Sequence, residues 1–205
     1  MEAFKVIIYD CDGVLIDSRQ SNEAFYNHIL AHFGLPPLTP RQLDLVHFST
    51  AQAAIDQLFR DTPWLKQAQA YQRDIDNRPF MALIRLMPQV RDVLKFLRPT
   101  YRTAIATNRG KSLPLVLTEL GLAGLFDFTV SCYEVRQPKP HPECLKKILG
   151  HFEVNPKAAL YIGDAAVDRL TSLEAGVPFA AYRNPALKAD YHLEEHLDLV
   201  QILNA

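Results

Sequence analysis

Five short, mostly apolar runs, each leading into a polar residue or a turn, constrain this chain more than any other feature. They are Val6-Ile7-Ile8-Tyr9, Thr103-Ala104-Ile105-Ala106, Phe128-Thr129-Val130-Ser131, Ala159-Leu160-Tyr161-Ile162 and Phe179-Ala180-Ala181-Tyr182. Apolar runs this short read as strands buried on both faces. From Pro88 onward they alternate with helical patterns. Val90 to Leu97 is stopped by Pro99, and a segment carrying Leu115, Val116 and Leu120 ends at Gly121. Leu145, Ile148 and Leu149 follow Lys139-Pro140-His141-Pro142, and a helix through Leu170 and Leu173 closes at Gly176. Phe179–Tyr182 reads as the last strand, followed by an amphipathic helix with Leu193, Leu197 and Val200 on one side. Strands alternating with helices of this length require right-handed crossovers and a parallel sheet covered on both faces. The expected class is α/β, a Rossmann-like parallel sheet flanked by helices.

Between the first strand and Pro88 the rhythm is different. Phe25, Ile29, Leu30 and Phe33 recur at helical spacing, and Gly34-Leu35-Pro36-Pro37 ends that helix. Thr39-Pro40 reads as an N-cap followed by proline at the first helical position. Ser49 or Thr50 would cap the next helix, which carries Ala54, Ile55, Leu58 and Phe59. Thr62-Pro63 would start a further one, with Trp64, Leu65 and Ala68 on its apolar side. No strand is expected in this stretch. Residues 17–87 therefore read as an all-α insertion after the first strand, and residues 1–16 and 88–205 as the α/β core.

Composition excludes several function classes. With 22 basic and 23 acidic residues among 205, the chain has no bulk attraction for nucleic acid or an anionic membrane. Cys11, Cys132 and Cys144 are odd in number and contain no Cys-x-x-Cys pair, which fits a reducing compartment better than a disulfide framework or a zinc site. Met1-Glu2-Ala3-Phe4-Lys5 runs straight into the first strand without a signal-peptide pattern. No apolar stretch approaches the roughly 20 residues that span a bilayer. A cytoplasmic protein is expected, without nucleic-acid or membrane partners. The oligomeric state is open.

In parallel α/β sheets ligands bind outside the carboxyl ends of the strands, and there the sequence places its unusual polar residues. Asp10 and Asp12 follow the first strand, with Gly13 allowing a sharp turn; Thr107 and Asn108 follow the second. Lys139 lies in the loop after the third strand, and Gly163-Asp164 ends the fourth, with Asp168 four residues later. Each has a plainer explanation alone: a helix cap for Thr107-Asn108, a solvated lysine, a turn at Gly163-Asp164, a first-turn acid at Asp168. Four strand ends carrying the groups one reaction needs point instead to phosphoryl transfer. Asp10 and Asp164 offer hard oxygen ligands for Mg2+, leaving an Asp10 oxygen as nucleophile. Lys139 would balance negative charge, and the Thr107 hydroxyl with the N–H groups after it would hold phosphate oxygens. Asp12 would protonate the leaving oxygen and then activate water.

Four motifs carry a resemblance: Asp10-Cys11-Asp12-Gly13-Val14-Leu15-Ile16-Asp17-Ser18, Thr107-Asn108, Lys139-Pro140-His141-Pro142-Glu143, and Gly163-Asp164-Ala165-Ala166-Val167-Asp168. In this order they resemble the haloacid dehalogenase superfamily, and most closely its phosphoglycolate phosphatase-like branch. The helical insertion stands where that family's first type of cap belongs. The resemblance implies Asp10 as nucleophile and Asp12 as general acid/base, with the Asp12 backbone carbonyl also on magnesium. It implies Thr107 and Lys139 around the phosphate and Asp164 on the metal. Asp168 would act beside the metal through water, or orient toward Lys139. The first strand would be central. Asp12 argues for a phosphate ester as substrate, because the dehalogenating members lack that aspartate and the phosphonate-cleaving members carry a small residue there.

Three positions depart from the pattern: Ala165 where Ser or Thr is usual, Gln89 where glycine usually follows Pro88, and Glu143 in place of aspartate. None removes a group that touches the phosphate or metal. Cys11, between the aspartates, is expected to point into the core. Arg19, His47, Ser49 and Thr50 are expected in local or solvent contacts, and His141 as a variable residue between prolines. The function expected is a Mg2+-dependent phosphatase acting on a small-molecule phosphate ester through an aspartyl phosphate. The alternatives are a phosphomutase using the same residues and a metabolite-binding regulator that has lost catalysis.

Overall fold

The computed structural model describes residues 3–204. The chain opens with β1 (Val6–Tyr9) and β2 (Ile16–Asp17). Five helices follow: α1 (Arg19–His32), α2 (Pro40–Phe48), α3 (Ala51–Leu58), α4 (Leu65–Asp74) and α5 (Arg78–Met81). After β3 (Arg85–Leu86) come α6 (Val90–Leu97), β4 (Arg102–Ala106), α7 (Leu113–Glu119), β5 (Phe128–Val130) and α8 (Glu143–Phe152). The chain then adds β6 (Ala159–Gly163), α9 (Ala166–Ala175), β7 (Phe179–Tyr182), β8 (Tyr191–Leu193) and α10 (Asp198–Leu203). It divides into two units: Asp17–Arg85, and the residues through Ile16 together with those from Leu86 onward.

The larger unit is built on a six-stranded sheet of order β5-β4-β1-β6-β7-β8. Every pairing in it is parallel. Its strands read as near-continuous apolar runs because helices cover both faces. All four residues of β1 and all five of β6 are buried. Ile8, Ala104, Ile148, Tyr161 and Phe179 belong to one core cluster of this unit. Register then places the strand ends. Tyr9 lies opposite Ile105 on one side and Ile162 on the other, so Asp10 leaves the sheet beside Thr107 and Asp164.

The helical unit has its own core, in which Phe25, Ile29, Ile55, Phe59 and Ala68 are buried together. Thr39 makes a complete capping box with Gln42 ahead of Pro40, and the Thr50 hydroxyl accepts from the Ala53 N–H. The helix expected from Thr62-Pro63 starts later, at Leu65, because the Thr62 hydroxyl instead donates to the Phe59 carbonyl and closes the preceding turn. Trp64 is its half-exposed N-cap residue.

Three further differences have local causes. β2 and β3, two residues each, pair as a ribbon where the chain passes from one unit to the other and back. Strands that short leave no periodic signal. Leu193, expected on the final helix, lies in an additional edge strand, opposite Tyr182. The Tyr191–Leu193 stretch is too short to separate a period of 2 from one of 3.6. Leu170 and Leu173 are exposed, 43% and 62%, because α9 packs through Asp168, Thr171, Ser172 and Ala175. Among the described residues no helix is long and apolar enough to cross a membrane.

Candidate active site

The carboxyl edge of the sheet carries a buried network centred on Lys139. Its Nζ donates to Asp10 Oδ1 at 2.8 Å, Asp168 Oδ1 at 2.6 Å and the Tyr161 hydroxyl oxygen at 3.0 Å. The Tyr161 O–H in turn donates to Asp168 Oδ1 at 2.7 Å. The side chains of Lys139 and Asp168 are 2% and 0% exposed, so water cannot replace any of these bonds. Charge-assisted hydrogen bonds this short hold the lysine charged. Burial alone would lower its pKa, but the adjacent Asp10 and Asp168 carboxylates outweigh that and raise it. Asp168 also fixes the start of α9, its Oδ2 accepting from the Ala165 N–H at 3.2 Å. Ala165 has no hydroxyl to return that bond, so only half of a capping box forms.

Asp164 completes a cluster in which carboxylate oxygens of Asp10, Asp164 and Asp168 lie within 4.8 Å of one another. Two glycines permit this. A Cβ on Gly13, whose φ is +84°, would overlap Asp164 Oδ2, and one on Gly163 would overlap the Asp168 side chain. Burial, reinforced by the neighbouring carboxylates, pushes Asp10 up to about 7 and Asp164 up to about 8. The Asp164 Oδ1 atom is buried and has no hydrogen-bond partner among the described residues. With all three carboxylates ionised, one lysine leaves two negative charges, the complement of one divalent cation. An orphaned carboxylate oxygen and an all-oxygen donor set are of the kind that suits a hard divalent cation such as Mg2+, and Asp10 and Asp164 are the residues that could hold it. The Asp168 oxygens are already engaged by Lys139, Tyr161 and Ala165.

Asp12 occupies different surroundings from Asp10. Its carboxylate is gripped bidentately by Arg109, Nε to Oδ2 at 2.9 Å and Nη2 to Oδ1 at 2.5 Å. The side chains of Arg109 and Asp12 are 9% and 14% exposed. Arg109 Nη1 also donates to Ser112 Oγ at 3.0 Å. The Asp12 carboxylate is therefore not in the three-carboxylate cluster. Thr107 Oγ1 accepts from the Arg109 N–H at 3.0 Å. Asn108 holds the lysine loop: its Oδ1 accepts from the Lys139 N–H at 3.0 Å, and its Nδ2 donates to the Lys139 carbonyl at 3.2 Å. Asn108 thus positions Lys139 from 31 residues away in sequence.

Sequence reasoning missed Arg109 and Tyr161. Arg109 directly follows Thr107-Asn108, so a charged residue at a strand end was the available signal. Tyr161 looked like core, and only the need of a buried hydroxyl for a partner hints at more. The remaining polar candidates lie elsewhere. Cys11 is buried, with burial pushing its thiol up. In the helical unit Arg19 pairs with Asp44, His47 Nδ1 lies 3.0 Å from Asn22 Nδ2, Ser49 ends α2 and Thr50 caps α3. His141 Nδ1 accepts from the Glu143 N–H, and Glu143 accepts from the N–H groups of Arg136 and Gln137.

Known proteins resemble the chain along most of its length. A family model described as haloacid dehalogenase-like hydrolase matches residues 7–182. A phosphoglycolate phosphatase from Haemophilus influenzae is 27% identical over 188 residues, covering 84% of this chain and 83% of that protein. Pyrophosphatase PpaX from Bacillus pumilus is 27% identical over 211 residues, covering 97% and 96%. A solved structure of a subfamily IA hydrolase of the same superfamily, from Geobacter sulfurreducens, superposes with a TM-score of 0.80 at 35% identity, covering 98% of this chain and 96% of that one.

Proposed function

The chain belongs to the haloacid dehalogenase-like hydrolase family, and from that premise we propose that it is a magnesium-dependent phosphatase of small phosphorylated metabolites. The observation that carries this reading is the contrast between two aspartates two residues apart. Asp10 sits in the Lys139–Asp164–Asp168 network, while Asp12 stands apart on Arg109. Two carboxylates in separate surroundings can take separate roles.

In this reading an Asp10 oxygen attacks phosphorus, the bond from phosphorus to the leaving oxygen breaks, and Asp12, protonated and released from Arg109 when substrate is bound, delivers its proton to that oxygen. Asp12 then takes a proton from the water that attacks the aspartyl phosphate, releasing inorganic phosphate and restoring Asp10. Thr107 and the backbone N–H groups after it hold phosphate oxygens. Lys139 favours the ionised form of Asp10 against the effect of burial and offsets the phosphate charge, with Asn108 and Asp168 keeping it in place. Magnesium held by Asp10 and Asp164 would supply charge neutralisation between carboxylate and phosphate. The helical unit, Asp17–Arg85, acts as the cap that selects the leaving group. The phosphoglycolate phosphatase name of a relative of similar length supports a small phosphate ester as substrate.

Asp10→Asn tests this reading. Magnesium-dependent phosphate release from p-nitrophenyl phosphate and a panel of phosphorylated metabolites is expected to vanish, with the circular dichroism unchanged. Turnover retained in that variant would remove Asp10 from the nucleophile's role.

A further inference from the structure

Outside the carboxylate network, a second set of hydrogen bonds holds the turn that begins at Asp12. The turn is tight: the Gly13 N–H donates to the Ile16 carbonyl at 2.8 Å, and the Leu15 N–H to the Cys11 carbonyl at 2.9 Å. The carbonyls of its two middle residues are bonded outside it. Val14 O accepts from His196 Nε2 at 2.9 Å, and Leu15 O accepts from the Met87 N–H at 3.0 Å. His196 is 1% exposed and stacks on Tyr182 with ring centroids 4.5 Å apart. A carbonyl can only accept, so the imidazole must carry its proton on Nε2. Nδ1 is buried without a partner among the described residues, and burial pushes the ring's pKa down to about 4.

Gln89 supplies the other half of the arrangement. Its φ is +65°, a left-handed backbone that favours glycine. Its side-chain amide bonds in both directions to the loop that carries His196. Nε2 donates to Glu195 Oε2 at 2.6 Å, and Oε1 accepts from the Leu197 N–H at 3.2 Å. Glycine would relax the backbone but could make neither bond. The left-handed position is thus held by a side chain that ties residues 87–89 to the loop at 194–197.

We infer that His196 and Gln89 are positioning residues for the Asp12 turn. Through an imidazole and an amide, the loop at 194–197 braces both the segment leaving β1 and the segment returning ahead of α6. The brace adds residues more than 100 positions away in sequence from those they hold. Its kinetic consequence rests on the role proposed for Asp12; its hydrogen bonds do not. A loosened turn would misplace the proton donor without weakening ground-state binding of the ester, so kcat should fall and KM should not move.

His196→Phe keeps an aromatic ring on Tyr182 and removes the donor, whereas His196→Gln keeps a donor of similar reach. In the Phe variant, exchange of the Gly13 and Leu15 amides is expected to speed about tenfold or more, with the β1 amides unchanged. Its kcat should fall about tenfold to a hundredfold at constant KM. The Gln variant should recover most of both losses, and Gln89→Gly should loosen the same two amides. In the unmodified protein the nitrogen resonances of His196 should report a neutral ring protonated at Nε2. Wild-type exchange in His196→Phe, or a proton on Nδ1 instead, would overturn the brace. A loosened turn with unchanged kcat would overturn the positioning role. If the unmodified protein released no phosphate from any ester, the proposed function would fall, and the exchange and nitrogen measurements would still decide the brace.

Discussion

Replacing Lys139 by methionine would keep most of the apolar stem and remove the ammonium that Asp10 and Asp168 share. The Asp10, Lys139 and Asp168 side chains are 10%, 2% and 0% exposed, so solvent cannot compensate. Removing one partner of a buried ion pair costs about 3–5 kcal/mol. Two features moderate the loss. Asp10, already pushed up to about 7, can take up a proton, and the Tyr161 hydroxyl still donates to Asp168. The lower end, about 3 kcal/mol near neutral pH, is therefore expected. For a protein of this size that lowers Tm by about 6–12 °C. Thermal unfolding followed by circular dichroism without added metal measures it. The sign of a second substitution is the sharper test. Asp168→Asn should destabilise the unmodified protein, where it weakens the bond from Lys139. In the Lys139→Met background it should recover about 1 kcal/mol or more, because it removes a carboxylate left without a cation. The Lys139→Met deficit should also shrink toward pH 5, as Asp10 binds its proton. A Tm within about 2 °C of the unmodified protein, or an Asp168→Asn effect of the same sign in both backgrounds, would refute the view of Lys139 as the cation holding this cluster together.

The same carboxylates give magnesium a pH signature. With Asp10 at about 7 and Asp164 at about 8 in the fold, against about 4 when unfolded, the metal-free fold binds more protons than the unfolded chain between those values. Its stability therefore falls as pH rises through that window, by up to about 1.4 kcal/mol per pH unit for each group. Magnesium binds the ionised forms, so its stabilisation in thermal melts should be larger at pH 8 than at pH 5.5; equal shifts would count against a metal on Asp10 and Asp164. Gly13→Ala would drive a methyl group into Asp164 Oδ2 at a φ of +84°. Melts with and without magnesium should show most of the metal-induced stabilisation lost, with the far-ultraviolet dichroism unchanged. At Arg109, lysine keeps the charge but loses the two-pronged grip on Asp12, so Arg109→Lys should cost about 1–2 kcal/mol. Arg109→Leu should cost about 3 kcal/mol. Urea unfolding midpoints separate these, and a lysine variant as stable as the unmodified protein would show that only charge matters.

Much of the fold is legible in the sequence because its signals are local. Thr39-Pro40, Thr50 and Gly176 announce helix ends by bonds or backbone angles spanning only a few residues. The apolar runs of β1 and β6 announce a doubly covered parallel sheet because every residue in them is buried. The elements that escape are those too short to have a period: β2, β3 and the edge strand Tyr191–Leu193. Exposure of Leu170 and Leu173 escapes too, since α9 turns a face of small and polar residues inward, a choice made by the sheet it packs on.

At the candidate site the division is sharper. That Asp10, Thr107, Lys139 and Asp164 stand at strand ends follows from the order of apolar runs along the chain. Which partner each side chain takes does not. Asp12 meets Arg109 across 97 residues, Lys139 meets Asp168 across 29, and Gln89 meets Glu195 across 106. The sequence by itself determines the elements and the kinds of chemical group at their ends, because periodicity, capping and turn formation act over a few neighbours. Only the tertiary structure decides that Asp10 shares a lysine while Asp12 is held by an arginine. Strand register and helix packing set those distances, and at a buried site an ångström or two decides which carboxylate is charged, paired or able to receive a metal.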